Sequence, residues 1–196
     1  MAQIGLSHFR YAILENDNNG VATYGDVKTP GKAISCKVDV NNNDASLYAD
    51  NALQESDTSF NNASITMGID RNDLQMQADL LGHTIDDSKK EITYNANDVA
   101  NYIGFGRVIT AMTDGKLTYS AKIICKAKFS DASEEDETKS DKLDFKTYEY
   151  SGTASTLSNG KWKIEKQGFT TDTDAIKYIE DYFKGTPASS STTSGK

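Results

Sequence analysis

The stretch Tyr119–Phe129, YSAKIICKAKF, sets the fold class. Tyr119, Ala121, Ile123, Cys125, Ala127 and Phe129 fall on one side of a period of two, and Lys122, Lys126 and Lys128 fall on the other. Side chains that point alternately to opposite faces, one set apolar and one charged, describe a half-buried strand and not a helix. Two more stretches repeat the pattern. Ile34, Cys36, Val38 and Val40 alternate with Ser35, Lys37 and Asp39, and Ala63, Ile65, Met67 and Ile69 alternate with Ser64, Thr66, Gly68 and Asp70.

Outward from these, further strands are expected at Leu6–Leu14, Tyr102–Met112, Phe145–Ala154 and Trp162–Gln167. Asn19-Gly20, Asp114-Gly115 and Asn159-Gly160 separate them, and such dipeptides favour the positive φ of tight hairpins. The sheet should therefore be largely antiparallel. Prolines stand only at Pro30 and Pro187, so long ladders keep their backbone donors. Two helices break the pattern. Asn72 or Asp73 can cap one in which Leu74, Gln77, Ala78 and Leu81 share a face, with Gly82 ending it. The other starts near Thr171–Thr173 and runs over Asp174–Lys184, with Ile176, Ile179 and Phe183 as its apolar stripe and Gly185 as its stop. The fold class read from this is mainly β with one or two packed α-helices.

The chain has 196 residues and fits one domain. Residues 1–185 are expected to form it, with a long loop at 41–62 and an acidic loop at 130–144. The Ser/Thr-rich segment 186–196 has nothing to bury and is expected to be disordered. The formal net charge of −8 disfavours tight nucleic-acid binding, which needs a basic footprint to release counterions from phosphates. The opening MAQIGLSHFRYAILENDNNG lacks a basic segment followed by an apolar run, and no stretch approaches the ~18 apolar residues of a membrane span. Synthesis in the cytoplasm and no membrane anchor are the expectation. Cys36 and Cys125 stand in phase with apolar neighbours and read as buried free thiols, with a strand-to-strand disulfide or metal binding as the alternatives.

Motifs that could carry chemistry are few. His8 lies inside a strand pattern and His83 just after a helix, neither with a partner at metal-ligand spacing. Gly104-Phe105-Gly106 lacks the third glycine and following helix of a dinucleotide site, and reads as a bulge or a close backbone approach. Glu15–Gly20 with Asp26 echoes a calcium loop, but its first and last ligands are the wrong lengths and strands flank it, so it reads as a hairpin tip. Acid–base work by the carboxylates of 130–144 would need burial or a fixed close partner. No catalytic residue, metal or cofactor is expected.

The segment Val38–Asp70, VDVNNNDASLYADNALQESDTSFNNASITMGID, resembles the signature region of the major tail proteins of long-tailed phages of Gram-positive bacteria. The matching residues are Leu47, Tyr48, Ala49 and Asp50, then Glu55–Phe60, then Gly68, Ile69 and Asp70. Gly5-Leu6, Tyr11-Ala12, the Trp162 strand and the Ala175–Phe183 helix extend the likeness more loosely. The resemblance implies a β-sandwich or barrel-like tail-tube fold and a structural role in the virion. Subunits would associate with themselves as rings, hexameric in that family, and the rings would stack into the tube that conducts DNA. Other tail proteins, such as tape measure and terminator, would be partners, and DNA would pass without specific binding. Residues 41–62 carry Leu47, Tyr48, Leu53 and Phe60 on an otherwise polar segment, and loops of that length are usually functional. They are expected at the subunit or ring interface, with Tyr48 and Phe60 as aromatic anchors. The alternative is a soluble β-sandwich binding module of a tail tip or secretion apparatus.

Overall fold

The computed structural model describes residues 2–18, 20–49, 52–132, 138 and 147–185, with only the backbone described over 45–57. It is mainly antiparallel β with two helices. In chain order the elements are β1 (Ala2–Asn18), β2 (Val21–Tyr24), β3 (Ala33–Asn42), β4 (Ala45–Ala49), β5 (Ala52–Asp57) and β6 (Phe60–Ile69), then α1 (Leu74–Leu81). They continue as β7 (Thr84–Asp86), β8 (Glu91–Thr93), β9 (Ile103–Thr113), β10 (Lys116–Phe129), β11 (Tyr148–Ala154), β12 (Lys163–Phe169) and α2 (Asp172–Phe183). Eight strands form one sheet in the order β2-β1-β9-β10-β11-β6-β3, and β12 lies beside β10 off that path. β10 pairs with β9 along one edge; along the other, Tyr119–Ile124 pair with β12 and Ala127–Phe129 with β11. The sheet curls until β3 comes back beside β1.

Curling gives the sheet an inside and an outside, and each is apolar. Inside lie Phe9, Ile65, Met67, Phe105, Phe129 and Tyr150, closed over by Met76, Leu80 and Leu81 of α1. Outside, Ala12, Val108, Ala121 and Ile123 are covered by Ala175, Ile179 and Phe183 of α2. β10 serves both cores because its register against β9 shifts between Ile124 and Ala127. Tyr119, Ala121 and Ile123 face α2, whereas Ala127 and Phe129 face the interior. The single apolar face read from Tyr119 to Phe129 is therefore two faces, since the bulge exchanges the sides of the alternation.

The local signals act where expected. Asp114 (φ 50°) and Gly115 (φ 75°) both take positive φ between β9 and β10, the requirement of a two-residue hairpin turn. Asp73 caps α1 by accepting from the Gln75 N–H, and Gly82 (φ 77°) closes it in the left-handed region. Of the expected α1 face, Gln77, Ala78 and Leu81 are buried and Leu74 is half-buried, but the burial is wider: Met76 and Leu80 join Leu81 in the core contact, and Asp79 is buried beside Gln77 as a polar residue. Thr171 caps α2, which begins at Asp172, within the expected start at Thr171–Thr173.

Residues 41–62 are not the long loop expected of them. The β3–β6 ladder runs to Asn42↔Phe60, the Asn43 N–H donates to the Ser59 carbonyl, and β4 pairs with β5 from Ala45↔Asp57 to Ala49↔Ala52. Cys125 is buried and Cys36 half-buried, both as free thiols. The acidic stretch 130–144, apart from residues 130–132 and 138, and the tail 186–196 lie outside the described residues.

Candidate functional site

Three places bring functional side chains together. The first is the hairpin arm that carries the family-like signature. Leu47 and Tyr48 lie on β4 and Leu53 on β5, with Tyr48 and Leu53 register partners, although their side chains lie outside the description. Phe60 opens β6, is half-buried, and stacks on Trp162 with ring centroids 4.4 Å apart and planes at 12°. The base of the arm is thus fixed to the body by an aromatic pair distant in sequence, Trp162 standing just before β12. Hydrogen bonds from Asn41 to Asn62 (2.8 Å) and Asn43 to Ser59 (2.9 Å) hold the two strands together there. Beyond the base, β4 and β5 contact chiefly each other.

The second place is a buried carboxylate on α1. Asp79 is 7% exposed, and its Oδ2 accepts from Tyr11 Oη (2.8 Å) and Lys28 Nζ (2.7 Å) while Oδ1 accepts from Gln75 Nε2 (3.0 Å). Burial, and then the bond to Asp79, push the Tyr11 hydroxyl well above its ordinary pKa, so it remains a donor. The set ties β1, the Lys28 segment and α1 into one unit. Each donor is held by the carboxylate, an arrangement suited to cross-linking.

The third is His83, between α1 and β7. Its Nδ1 lies 2.7 Å from Asp98 and its Nε2 3.0 Å from Asp131, and its ring packs on Tyr94 at 4.4 Å. Burial by itself disfavours the charged ring. The bonds to two carboxylates and their charge outweigh that effect, so the imidazole pKa rises above its ordinary value. The bond to His83, in turn, holds Asp98 below the usual carboxylate range. Asp98 and Asp131 come from 15 and 48 residues away along the chain, which is why no spacing rule finds them.

His8 takes a positive φ of 52° in a bulge of β1 and lies 3.4 Å from Asp172 at the start of α2. The bulge in β10 splits its expected lysine face, and lysines on both sides of it are occupied within the chain: Lys122 pairs with Glu165 at 3.4 Å, and Lys126 with Asp17 at 2.8 Å. The calcium-like stretch from Glu15 to Asp26 spans the β1–β2 hairpin, and Asp17 there accepts from Lys126 and from the Ser158 N–H. Gly104 and Gly106 lie directly under α2, at the close backbone approach expected of them. Among the described residues, no group of three or more His, Cys, Asp or Glu could hold a metal ion, and no helix is long and apolar enough to cross a membrane. No family model matches the chain, and no curated protein does.

Proposed function

We propose that the protein is a structural, self-assembling subunit of the tail-tube kind, with copies associating as rings that stack into a tube for DNA. One observation carries this reading: the β4–β5 hairpin, which holds Leu47, Tyr48 and Ala49 of the signature-like segment and leads into Phe60, contacts chiefly itself. A two-stranded hairpin standing alone in water is marginally stable, so an arm of this length gains most by packing on another chain. The rest of the fold suits the same role. The edge of β12 away from β10 has no strand partner among the described residues, and a free edge pairs readily with another chain. The net charge of −8 would let a polyanion pass without sticking.

The test is negative-stain electron microscopy and light-scattering mass across a concentration series, for the full chain and for a variant with residues 44–58 replaced by a short turn. Rings or hollow tubes from the full chain, with a folded monomer from the shortened one, are expected. A full chain that stays at 21.4 kDa at every concentration would overturn the reading.

A further inference from the structure

The outer face of the sheet ends in two apolar surfaces that no described residue of the chain covers, one at each end of α2. Ile179 packs over Gly106 and Phe183 over Gly104, so the helix runs along β9, with its start near His8. The sheet continues past that start. There Met112 and Leu117 are direct cross-strand partners, 43% and 50% exposed, on the face shared by Val108 and Ala121. Ile4, in a bulge of the adjoining strand, is 56% exposed. The turn at Asp114-Gly115 ends this tip, and no side chain crowds Gly115.

At the other end of α2 is a cleft of about 650 Å³, lined by Val21, Tyr24, Ile164, Tyr178, Tyr182 and Lys161 among others. Several polar groups at its walls already bond within the chain. Tyr24 Oη donates to the Cys125 carbonyl (2.8 Å), Tyr182 Oη to Cys125 Sγ (3.4 Å), and Asn159 Nδ2 to the Gly20 carbonyl (2.8 Å). What remains open is ring surface together with Val21, 63% exposed, and the cation of Lys161 on the rim. From Gly104 near the cleft to Met112 at the tip, the extended backbone covers about 27 Å.

We propose that the occupant of the cleft is the β9–β10 tip of a second copy of this chain. The two surfaces match in kind: apolar side chains behind a narrow turn, facing an aromatic-lined recess, with Asp114 of the tip opposite Lys161 of the rim. Because they lie at opposite ends of one subunit, the contact is head-to-tail and leaves a free tip and a free cleft after each addition. A heterologous contact of that kind propagates as an open stack. This inference rests on the self-assembly reading and assigns the contact between successive layers.

The experiment uses full-length Leu117→Glu and Val21→Glu, each placing a carboxylate in an apolar contact at a position exposed in the lone subunit. Circular dichroism melts should match the wild type, confirming that both variants fold. Each variant alone should stop at a single ring or subunit, with stacking weakened about a hundred-fold or more by an unpaired buried charge. Mixing the two should restore one round of association, since Leu117→Glu keeps a working cleft and Val21→Glu a working tip, and the mass should double once and no further. Variants that build tubes at the wild-type concentration, or a mixture that does not double, would overturn this contact and leave the tube reading standing. A wild-type chain that never associates would overturn both.

Discussion

Replacing Gly106 by alanine should unseat α2 by a measurable amount. A Cβ built there meets Ile179 Cγ2 at 2.4 Å, and one built at Gly104 meets Phe183 Cε1 at 2.3 Å and Tyr24 Cε1 at 2.8 Å. Carbon atoms in contact prefer about 3.5–4.0 Å, so either methyl forces the helix away by about 1 Å. Ile179 and Phe183 are 0% and 1% exposed and have no open space to turn into. Overpacking of this sort costs about 1–3 kcal/mol. Losing a glycine from the unfolded chain returns about 0.4–1 kcal/mol. The net loss is about 1–2 kcal/mol, which lowers Tm by about 2–8 °C in a chain of this size. Gly5 provides the control within the same sheet: its nearest contact would be Thr110 Cβ at 3.6 Å, an ordinary separation, and its φ is not in the left-handed region. Gly5→Ala should be neutral or stabilise by up to about 1 kcal/mol. Thermal unfolding followed by circular dichroism decides between them. If Gly106→Ala melts at or above the wild type, or if both alanines shift Tm alike, the close approach of α2 does not limit stability.

Two further substitutions test the polar clusters. The folded pKa of His83 is raised, so the stability it contributes is fully present below its unfolded value near 6.5 and is lost as pH rises through the folded value. Asp98 is lowered, and its contribution holds above its ordinary 3.8 and is lost as pH falls through the folded value. Denaturant midpoints should therefore fall between about pH 5 and pH 9 by more in the wild type than in His83→Gln, and equal falls would mean that the bonds from His83 to Asp98 and Asp131 do not contribute to stability. Tyr11→Phe deletes a donor to a buried carboxylate and should cost about 1.5–3 kcal/mol in the same titration. An unchanged midpoint would mean that water or Lys28 replaces the hydroxyl without loss.

The strands were legible because burial on one face writes a period of two into the sequence, as in Ala63–Ile69; in Ile34–Val40 the same alternation marks a strand although only Cys36 and Val38 of its apolar set pack on the core and Ile34 and Val40 are exposed. The reading of Tyr119–Phe129 failed only in its sidedness. A bulge is a register event against a neighbouring strand, and β10 alone carries no mark of where β9 slips past it. The face expected of α1 included Gln77, Ala78 and Leu81, all buried, but Met76 and Leu80 lie outside that spacing, and the burial of Asp79 depends on Tyr11, contributed by β1. Residues 41–62 hid two strands because Asn, Asp and Ser dominate them, and their pairing rests on backbone bonds that composition does not encode. Gly104 and Gly106 were legible as a close approach, but that α2 is what approaches could only come from the fold. His83 lay beyond reach for the same reason, since both its carboxylates arrive through topology.

The charge of the subunit limits what can hold copies of it together. At −8 each, like subunits repel on approach, and at physiological salt that repulsion acts over about 8 Å. Among the lysines that could attract a second copy, Lys122, Lys126 and Lys28 are already paired to carboxylates of their own chain. In the proposed stack, cohesion would then come mainly from apolar surface and backbone pairing, with an ion pair such as the proposed Asp114–Lys161 setting register more than strength. The described residues leave both resources exposed: Met112, Leu117 and Ile4 at one end of α2, Val21 and the tyrosine cleft at the other, and the open edge of β12, among other exposed apolar side chains. In the proposed stack, a surface of this charge would admit a second copy where an apolar tip meets an apolar recess. The same acidity that would keep DNA moving through a tube thus also narrows the set of partners that can form it.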